Sequence, residues 1–437
     1  MSNSSPPSQQ RKIRQTLLAS LIGTSIEWYD FFIFGIASTV VLNKLFFPQF
    51  EPLVGTLIAL SVFGSAYLAR PIGAIVFGHL GDRLGRKSTL VITLSLMGCG
   101  TFLIGLLPTY SAIGITAPFL LVALRLGQGL AVGGEWGGAA LIAVEHAPHG
   151  KRGIYGSVAN MGSPLGFILG TGVFTLVLML PDEALLTWGW RVPFLASALL
   201  LAIGMYIRFR IDEPPEFDRI ASTHTQARLP IIEVLRRPKN VLLAVLLLCG
   251  QALPSSIYGF FASTYIVQEL KLPASVGTTG VMIASVLGLI ILPISATLSD
   301  RFGRRRIYIL GAIYSAIVAL PVFWLFDTRQ PTMIWLAFVL GLAIGTYTLY
   351  GPMVAYFAEL FGTRTRYTGI SLGYQLGASV FSGFGPMFAT ALLVWSGGAS
   401  WPIAVLIMAA AAVSALAASL TPVERQPRQS ELTETVS

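Results

Sequence analysis

Gly78-His79-Leu80-Gly81-Asp82-Arg83-Leu84-Gly85-Arg86-Lys87 returns, half a chain later, as Ala296-Thr297-Leu298-Ser299-Asp300-Arg301-Phe302-Gly303-Arg304-Arg305. The two aspartates stand 218 positions apart in a chain of 437 residues. A second echo has nearly the same offset: Glu145, Arg152 and Ser157 recur as Glu359, Arg366 and Ser371, each displaced by 214. Two echoes at almost one offset imply a duplicated unit. Apolar sequence flanks every copy, so each half is a series of hydrophobic segments separated by short charged ones.

Composition says what those segments are. The chain is 54% apolar and 11% charged, with mean hydropathy +0.72. Soluble domains average about 45–50% apolar and about 25% charged. A soluble enzyme, a disordered chain and a fibrous chain are all excluded on these numbers. A membrane-crossing helix takes about 20 apolar residues, and the chain has room for a dozen. The apolar segments lie near 15–42, 54–77, 88–107, 117–145, 153–180 and 188–209, then 240–267, 276–298, 307–326, 332–361, 367–395 and 400–420. The expectation is an all-α membrane protein: twelve transmembrane helices in two six-helix bundles, 15–209 and 240–420. Residues 1–14 form an N-terminal tail, 210–239 a central loop and 421–437 a C-terminal tail. Halves related in this way usually enclose a midplane binding site.

Basic residues set the orientation. Of 29 Lys and Arg, only Lys44, Lys271 and Arg329 fall in loops on one side, and Arg70, Arg125 and Arg191 lie within or at the ends of spans. The others fall in the tails, the charged motifs and the central loop counted from Arg208. Such a bias places both termini in the cytoplasm. It also accounts for the net charge of +9 without nucleic acid as a partner. Leu229 to Arg237 reads as a short amphipathic helix on the inner membrane surface. The N-terminal stretch is a poor signal peptide, because Glu27 and Asp30 interrupt it. Cys99 and Cys249 sit in apolar runs and make no disulfide framework. The four histidines lie at or near loops, with no H-E-x-x-H and no G-x-x-x-x-G-K-[ST]. No metal, no cofactor and no enzymatic activity are expected.

The charged motif resembles the signature of the major facilitator superfamily. Further stretches resemble its metabolite:proton symporter family: Glu27-Trp28-Tyr29-Asp30-Phe31, Arg70-Pro71-Ile72-Gly73, Arg125 to Trp136, Trp188 to Phe194, and Arg366-Tyr367-Thr368-Gly369. That family includes shikimate, α-ketoglutarate, citrate and proline/betaine transporters. The resemblance runs from about residue 15 to 420. It implies alternating access, with spans 1 and 4 lining the cavity. Departures are Ala296 in the second motif, an uncharged span 7 carrying Gln251, and a short C-terminal segment without the heptads of osmosensory members.

Charges inside spans are costly and mark function. Asp30 lies roughly 22 Å along span 1 and Arg125 roughly 12 Å from the other end of span 4, at ~1.5 Å per residue. The two reach similar depth in a core ~30 Å thick. An Asp30–Arg125 pair is therefore expected. A substrate competing for Arg125 would free Asp30 to take a proton, since a nearby guanidinium favours the charged carboxylate. A static ion pair is the alternative. Glu27, on the same helix face, is the second proton site, and Glu135 in span 4 has a coupling role. The glycines around it serve close packing.

Asp82, read as the start of an inner loop with Arg83 and Arg86, can dock at a helix N-terminus, where the dipole is positive. Asp300 and Arg301 are the weaker counterpart. Glu145, Arg152, Glu359 and Arg366 are read as inter-helix gate bridges. Arg191 snorkels at a helix end. Gln128, Asn160, Gln251, Tyr258, Tyr347, Tyr350 and Gln375, with Arg125, are the pocket candidates. The expected protein is a monomeric carrier in the bacterial inner membrane, its partners the lipid bilayer, a proton and a small metabolite. It imports an organic acid with a proton, because arginine holds carboxylates bidentately and relatives carry them. A betaine- or proline-like zwitterion, or efflux by antiport, is the alternative.

Overall fold

Apolar segments in hydrocarbon must satisfy every backbone N–H and C=O internally, which a helix does by itself. The computed structural model describes residues 7–84, 86–145, 147–148, 150–209, 234, 236, 238–361 and 366–421; some side chains within them, those of Asp82, Arg83 and Arg86 included, lie outside the description. Among the described residues there are twelve helices long and apolar enough to cross a membrane, and no strand. Spans 1–6 are Leu17–Phe46, Leu57–Gly78, Ser88–Leu106, Thr116–Glu145, Arg152–Val177 and Arg191–Phe209. Spans 7–12 are Pro238–Gln268, Ala274–Phe302, Arg304–Asp327, Pro331–Leu360, Arg366–Trp395 and Trp401–Ser419.

The pairing of these helices is duplicated as the sequence is. In the first half span 1 packs on 5, span 2 on 4 and span 3 on 6. In the second half span 7 packs on 11, 8 on 10 and 9 on 12. The halves meet through span 5 on 8 and 10, and span 11 on 2 and 4. Each relation maps onto another when six is added to every span number, as a twofold relation between the bundles requires.

Small residues set the closest approach. The Cα of Gly129 lies against the Ala66 carbonyl, that of Gly133 against the Arg70 carbonyl, and that of Gly73 against the Leu130 carbonyl. Spans 2 and 4 are thus in backbone contact, as small-residue spacing allows. One turn further along span 4 the same device faces the other half: Gly137 lies against Ser371 and Gly138 against Tyr367, both of span 11. Spans 1, 7, 10 and 11 each contain a π-helical stretch, at Ser38–Leu42, Ile257–Phe261, Val339–Thr346 and Ala378–Gly383. Widened turns of this kind are common at functional sites.

Four readings of the sequence need correction. The motif aspartates do not begin loops. One helix runs Pro52–Leu84 through Asp82 and the next starts at Arg86. Asp300 lies in the last turn of Ala274–Phe302, and Gly303 at φ +93° turns the chain in one residue before Arg304. The first helix starts at Pro7, inside what reads as a tail, and its continuation reaches Phe46 rather than 42. Arg208 belongs to span 6, not to the loop: it is buried and its head group turns inward. Residues 210–233, with most of the expected surface helix 229–237, lie outside the described residues.

The backbone contact of spans 2 and 4 makes a testable statement. Gly129→Leu forces them apart and costs about 1–3 kcal/mol, the range for overpacking. Thermal loss of the monodisperse gel-filtration peak should occur at lower temperature. Gly127→Leu, on a face with open space, should leave it unchanged.

Candidate functional site

Span 1 carries Glu27 and Asp30 one turn apart, so both face the same neighbours. Span 2 brings Arg70, span 4 Arg125 and Glu135, and span 6 Arg208. All six residues are buried, none more than 5% exposed. Three acids and three bases are neutral together when all are ionised. Buried charges persist in an apolar interior when they are paired or hydrogen-bonded.

The pairing is uneven. Glu135 and Arg208 form a direct ion pair, and Arg208 also donates to the Leu90 carbonyl at 2.9 Å. Gly23, one turn before Glu27, leaves room for both head groups beside span 1. Glu27 Oε1 lies 3.8 Å from Arg70 Nη2, and its other oxygen has no partner. Arg125 donates to Gln128 Oε1 at 3.0 Å, and Gln128 donates to Thr101 Oγ1 at 2.6 Å. Aromatic faces hold the rest of the two guanidiniums. Arg125 lies 3.9 Å from the Phe34 ring centroid and 4.9 Å from that of Phe31. Arg70 lies 4.3 Å from Phe31 and 4.1 Å from Tyr67. Phe31 is therefore common to both cations. Neither oxygen of Asp30 has a hydrogen-bond partner of ordinary geometry; Thr101 is its polar neighbour.

The expected Asp30–Arg125 ion pair is corrected accordingly. The two are neighbours, but the guanidinium turns to Gln128 and the phenylalanines. Equal depth along two helices does not fix the angle at which their side chains point. Arg70 and Arg208 were given no role by the sequence reading. Arg70 carried the signal of a charge inside a span; Arg208 was hidden at a span end, where loops also carry arginine.

Beside this cluster runs the seam between the halves. Trp136 stacks on Tyr374 with ring centroids 3.6 Å apart. Gln375 Nε2 donates to the Val132 carbonyl at 3.3 Å, and Asn160 Nδ2 to the Tyr350 carbonyl at 2.7 Å. Ser379 donates to the Tyr67 carbonyl, and Tyr367 to that of Gly134 at 3.1 Å. Farther from the basic motifs, Phe260 packs on Phe32 and Phe63 at 5.1 and 4.9 Å. Of the pocket candidates, the structure brings Asn160, Tyr350 and Gln375 to the seam. Gln128 stays inside the first half. Tyr258 packs on Phe323 and Gly341, and Tyr347 on Gly288, inside the second. Gln251 is buried in span 7.

At the basic end Asp300 accepts from the backbone N–H of Gly153 at 2.9 Å and of Ile154 at 3.1 Å. A carboxylate of the second half thus caps span 5 of the first, where orphan N–H groups and the helix dipole favour an anion. Arg304 pairs with Asp300 at 3.5 Å and with Glu359. Arg366 does not pair with Glu359 but donates to the Phe361 carbonyl at 3.3 Å. Arg152 and Arg301 are exposed, and Glu145 is half-buried. Arg191 donates to the Gly105 and Leu107 carbonyls, both at 2.7 Å, closing the end of span 3.

Comparison with known proteins agrees with this architecture. The Major Facilitator Superfamily model matches residues 20–378. The Escherichia coli K12 shikimate transporter is 40% identical over 420 residues, 94% of each chain. The inner membrane metabolite transport protein YhjE of the same organism is 42% identical over 382 residues, 84% of this chain and 86% of that one. Its proline/betaine transporter is 33% identical over 414 residues, 91% and 81%. Among solved structures, the proton:xylose symporter XylE, bound to 6-bromo-6-deoxy-D-glucose, superposes with TM-score 0.75 at 16% identity over 98% of this chain and 99% of that one. The chain belongs to the Major Facilitator Superfamily: it is a multi-pass membrane transporter and not an enzyme.

The Glu135–Arg208 pair predicts a non-additive mutant cycle. Glu135→Gln strands a buried guanidinium and should cost about 3–5 kcal/mol, whereas Glu135→Gln with Arg208→Met should recover most of it. Thermal unfolding of the purified single and double variants measures this.

Proposed function

We propose that this member of the superfamily imports a small organic acid together with a proton across the bacterial inner membrane, by alternating access, as a monomer. The observation that carries the reading is Asp30: a carboxylate with two unpartnered oxygens inside a charge cluster next to the seam. Its polar neighbours are Thr101 and Arg125, and it forms an ion pair with neither Arg125 nor Arg70. A carboxylate in this position takes up or releases a proton whenever those neighbours shift between states. Asp30 is the proton carrier, and Arg125 is the cation whose position sets its charge. Glu27, Arg70, Glu135 and Arg208 keep the cluster neutral around it.

The basic motifs face the cytoplasm, where positive loops are retained. The bundles 15–209 and 240–420 are then the moving bodies, joined through 210–239. The Asp300 cap on span 5 holds the cytoplasmic side closed. On the duplicated sequence alone, Asp82, Arg83 and Arg86 take the matching gating role. The names of two relatives support the substrate class, since shikimate, proline and betaine all carry a carboxylate. The proline/betaine relative keeps a zwitterion as the second reading.

Asp30→Asn tests the proton assignment. In proteoliposomes it should abolish accumulation driven by a pH gradient while exchange of labelled for unlabelled shikimate across the membrane continues. Accumulation against a gradient by this variant would show that the proton travels elsewhere.

A further inference from the structure

We propose that Arg70, rather than Arg125, holds the carboxylate of the transported acid, and that this acid carries hydroxyl groups read by the seam around Arg70. The inference rests on the uptake of an organic acid argued above. Both arginines are fully buried, and their neighbours separate them. Arg125 is enclosed by Phe31, Phe34, Phe63 and Gln128, all of the first half. The guanidinium of Arg70 also lies on first-half side chains, Phe31, Tyr67 and Glu27, but the second half borders the backbone beside it. The Tyr67 carbonyl, one turn earlier, is bonded by Ser379. Gly133, packed against the Arg70 carbonyl, offers its own carbonyl to Gln375 at 3.5 Å.

Both guanidiniums are short of partners, Arg70 at Nε and Arg125 at Nε and Nη2; the one carboxylate contact of Arg70, with Glu27 at 3.8 Å, is longer than a hydrogen bond. Buried guanidiniums ordinarily engage an anion through two parallel bonds. Around it lie further buried atoms without partners: the hydroxyls of Tyr67 and Tyr350, Trp136 Nε1, Glu27 Oε2 and Gln375 Oε1. They share one neighbourhood. Tyr350 adjoins Trp136, Tyr374 and Glu27, and Tyr374 adjoins Arg70 and Tyr67. Unmatched groups of this kind are costly, and native interiors hold few. A carboxylate matches Arg70, and hydroxyls both donate to Glu27 and Gln375 and accept from the tyrosines and the indole. A quaternary amine brings no donor, and an unsubstituted acid leaves most of the set unmatched. The shared Phe31 ring ties movement of Arg70 to the surroundings of Arg125, and so to Asp30.

The test titrates the purified full-length chain calorimetrically with shikimate, a hydroxylated ring carboxylate, with cyclohex-1-ene-1-carboxylate, the same ring without hydroxyls, and with glycine betaine. Shikimate should bind at least about tenfold more tightly than the other two. Arg70→Lys should weaken it by about 10- to 100-fold, the loss expected for charge-assisted bonds. Tyr67→Phe and Tyr350→Phe each remove one oxygen, fold independently of the fate of Arg70→Lys, and should erase most of the preference for the hydroxylated ring. Unchanged shikimate affinity in Arg70→Lys, or a full preference retained in both phenylalanine variants, overturns the assignment while leaving organic-acid uptake standing. Failure of the unaltered protein to bind either ring carboxylate overturns the organic-acid reading and this one with it.

Discussion

Three carboxylates and three guanidiniums inside one bundle of apolar helices must neutralise one another, and most of the first half is arranged around that requirement. Spans 1, 2, 4 and 6 have to approach closely enough for side chains to meet. The glycines of spans 2 and 4 permit this by allowing backbone contact, and Gly23 does the same beside the Glu135–Arg208 pair. Phenylalanine faces finish the enclosure, since a ring face accepts a cation without competing as an acceptor. The cluster is balanced in charge but not in bonding. Glu135 and Arg208 satisfy one another, whereas Asp30 has no bonded partner and Arg70 only a loose one. Adding a proton or an anion to such a set changes its net charge by one unit. The two additions together restore it, which gives cotransport a local electrostatic cause.

The seam converts that local balance into movement of the halves. Its polar contacts are mostly hydrogen bonds from one side chain to one carbonyl, such as Asn160 to Tyr350 and Gln375 to Val132. Each is worth on the order of 1 kcal/mol net. The Asp300 cap on span 5 is charge-assisted and stronger. Contacts of this size suit a two-state equilibrium that a ligand's differential affinity can shift, because a change of about 5.5 kcal/mol carries a population from one state almost fully to the other.

The fold was legible because hydrophobic length and a repeated motif are one-dimensional signals. All twelve spans follow from them. The site was legible in part. Asp30, Glu27, Arg125 and Glu135 stand out as charges in apolar runs, and all four lie in the cluster. Their partners did not follow, because axial depth can be counted from sequence but rotation about the helix axis cannot. Arg125 and Asp30 reach one depth without bonding. Arg208 read as loop because an arginine at a span end is ordinarily a snorkelling one. The docking of a carboxylate on a helix N-terminus was foreseen as a type of contact for Asp82. It is seen at Asp300, the copy given less weight. The side chain of Asp82 lies outside the described residues.

The central claim is that a proton and a carboxylate enter the charge cluster together. Proteoliposomes containing the purified chain and a trapped pH-sensitive dye, with membrane potential clamped and no pH gradient, test it most directly. Inward movement of shikimate should acidify the lumen in proportion to the acid taken up. Shikimate entry with no lumenal pH change, or with alkalinisation, would contradict the account.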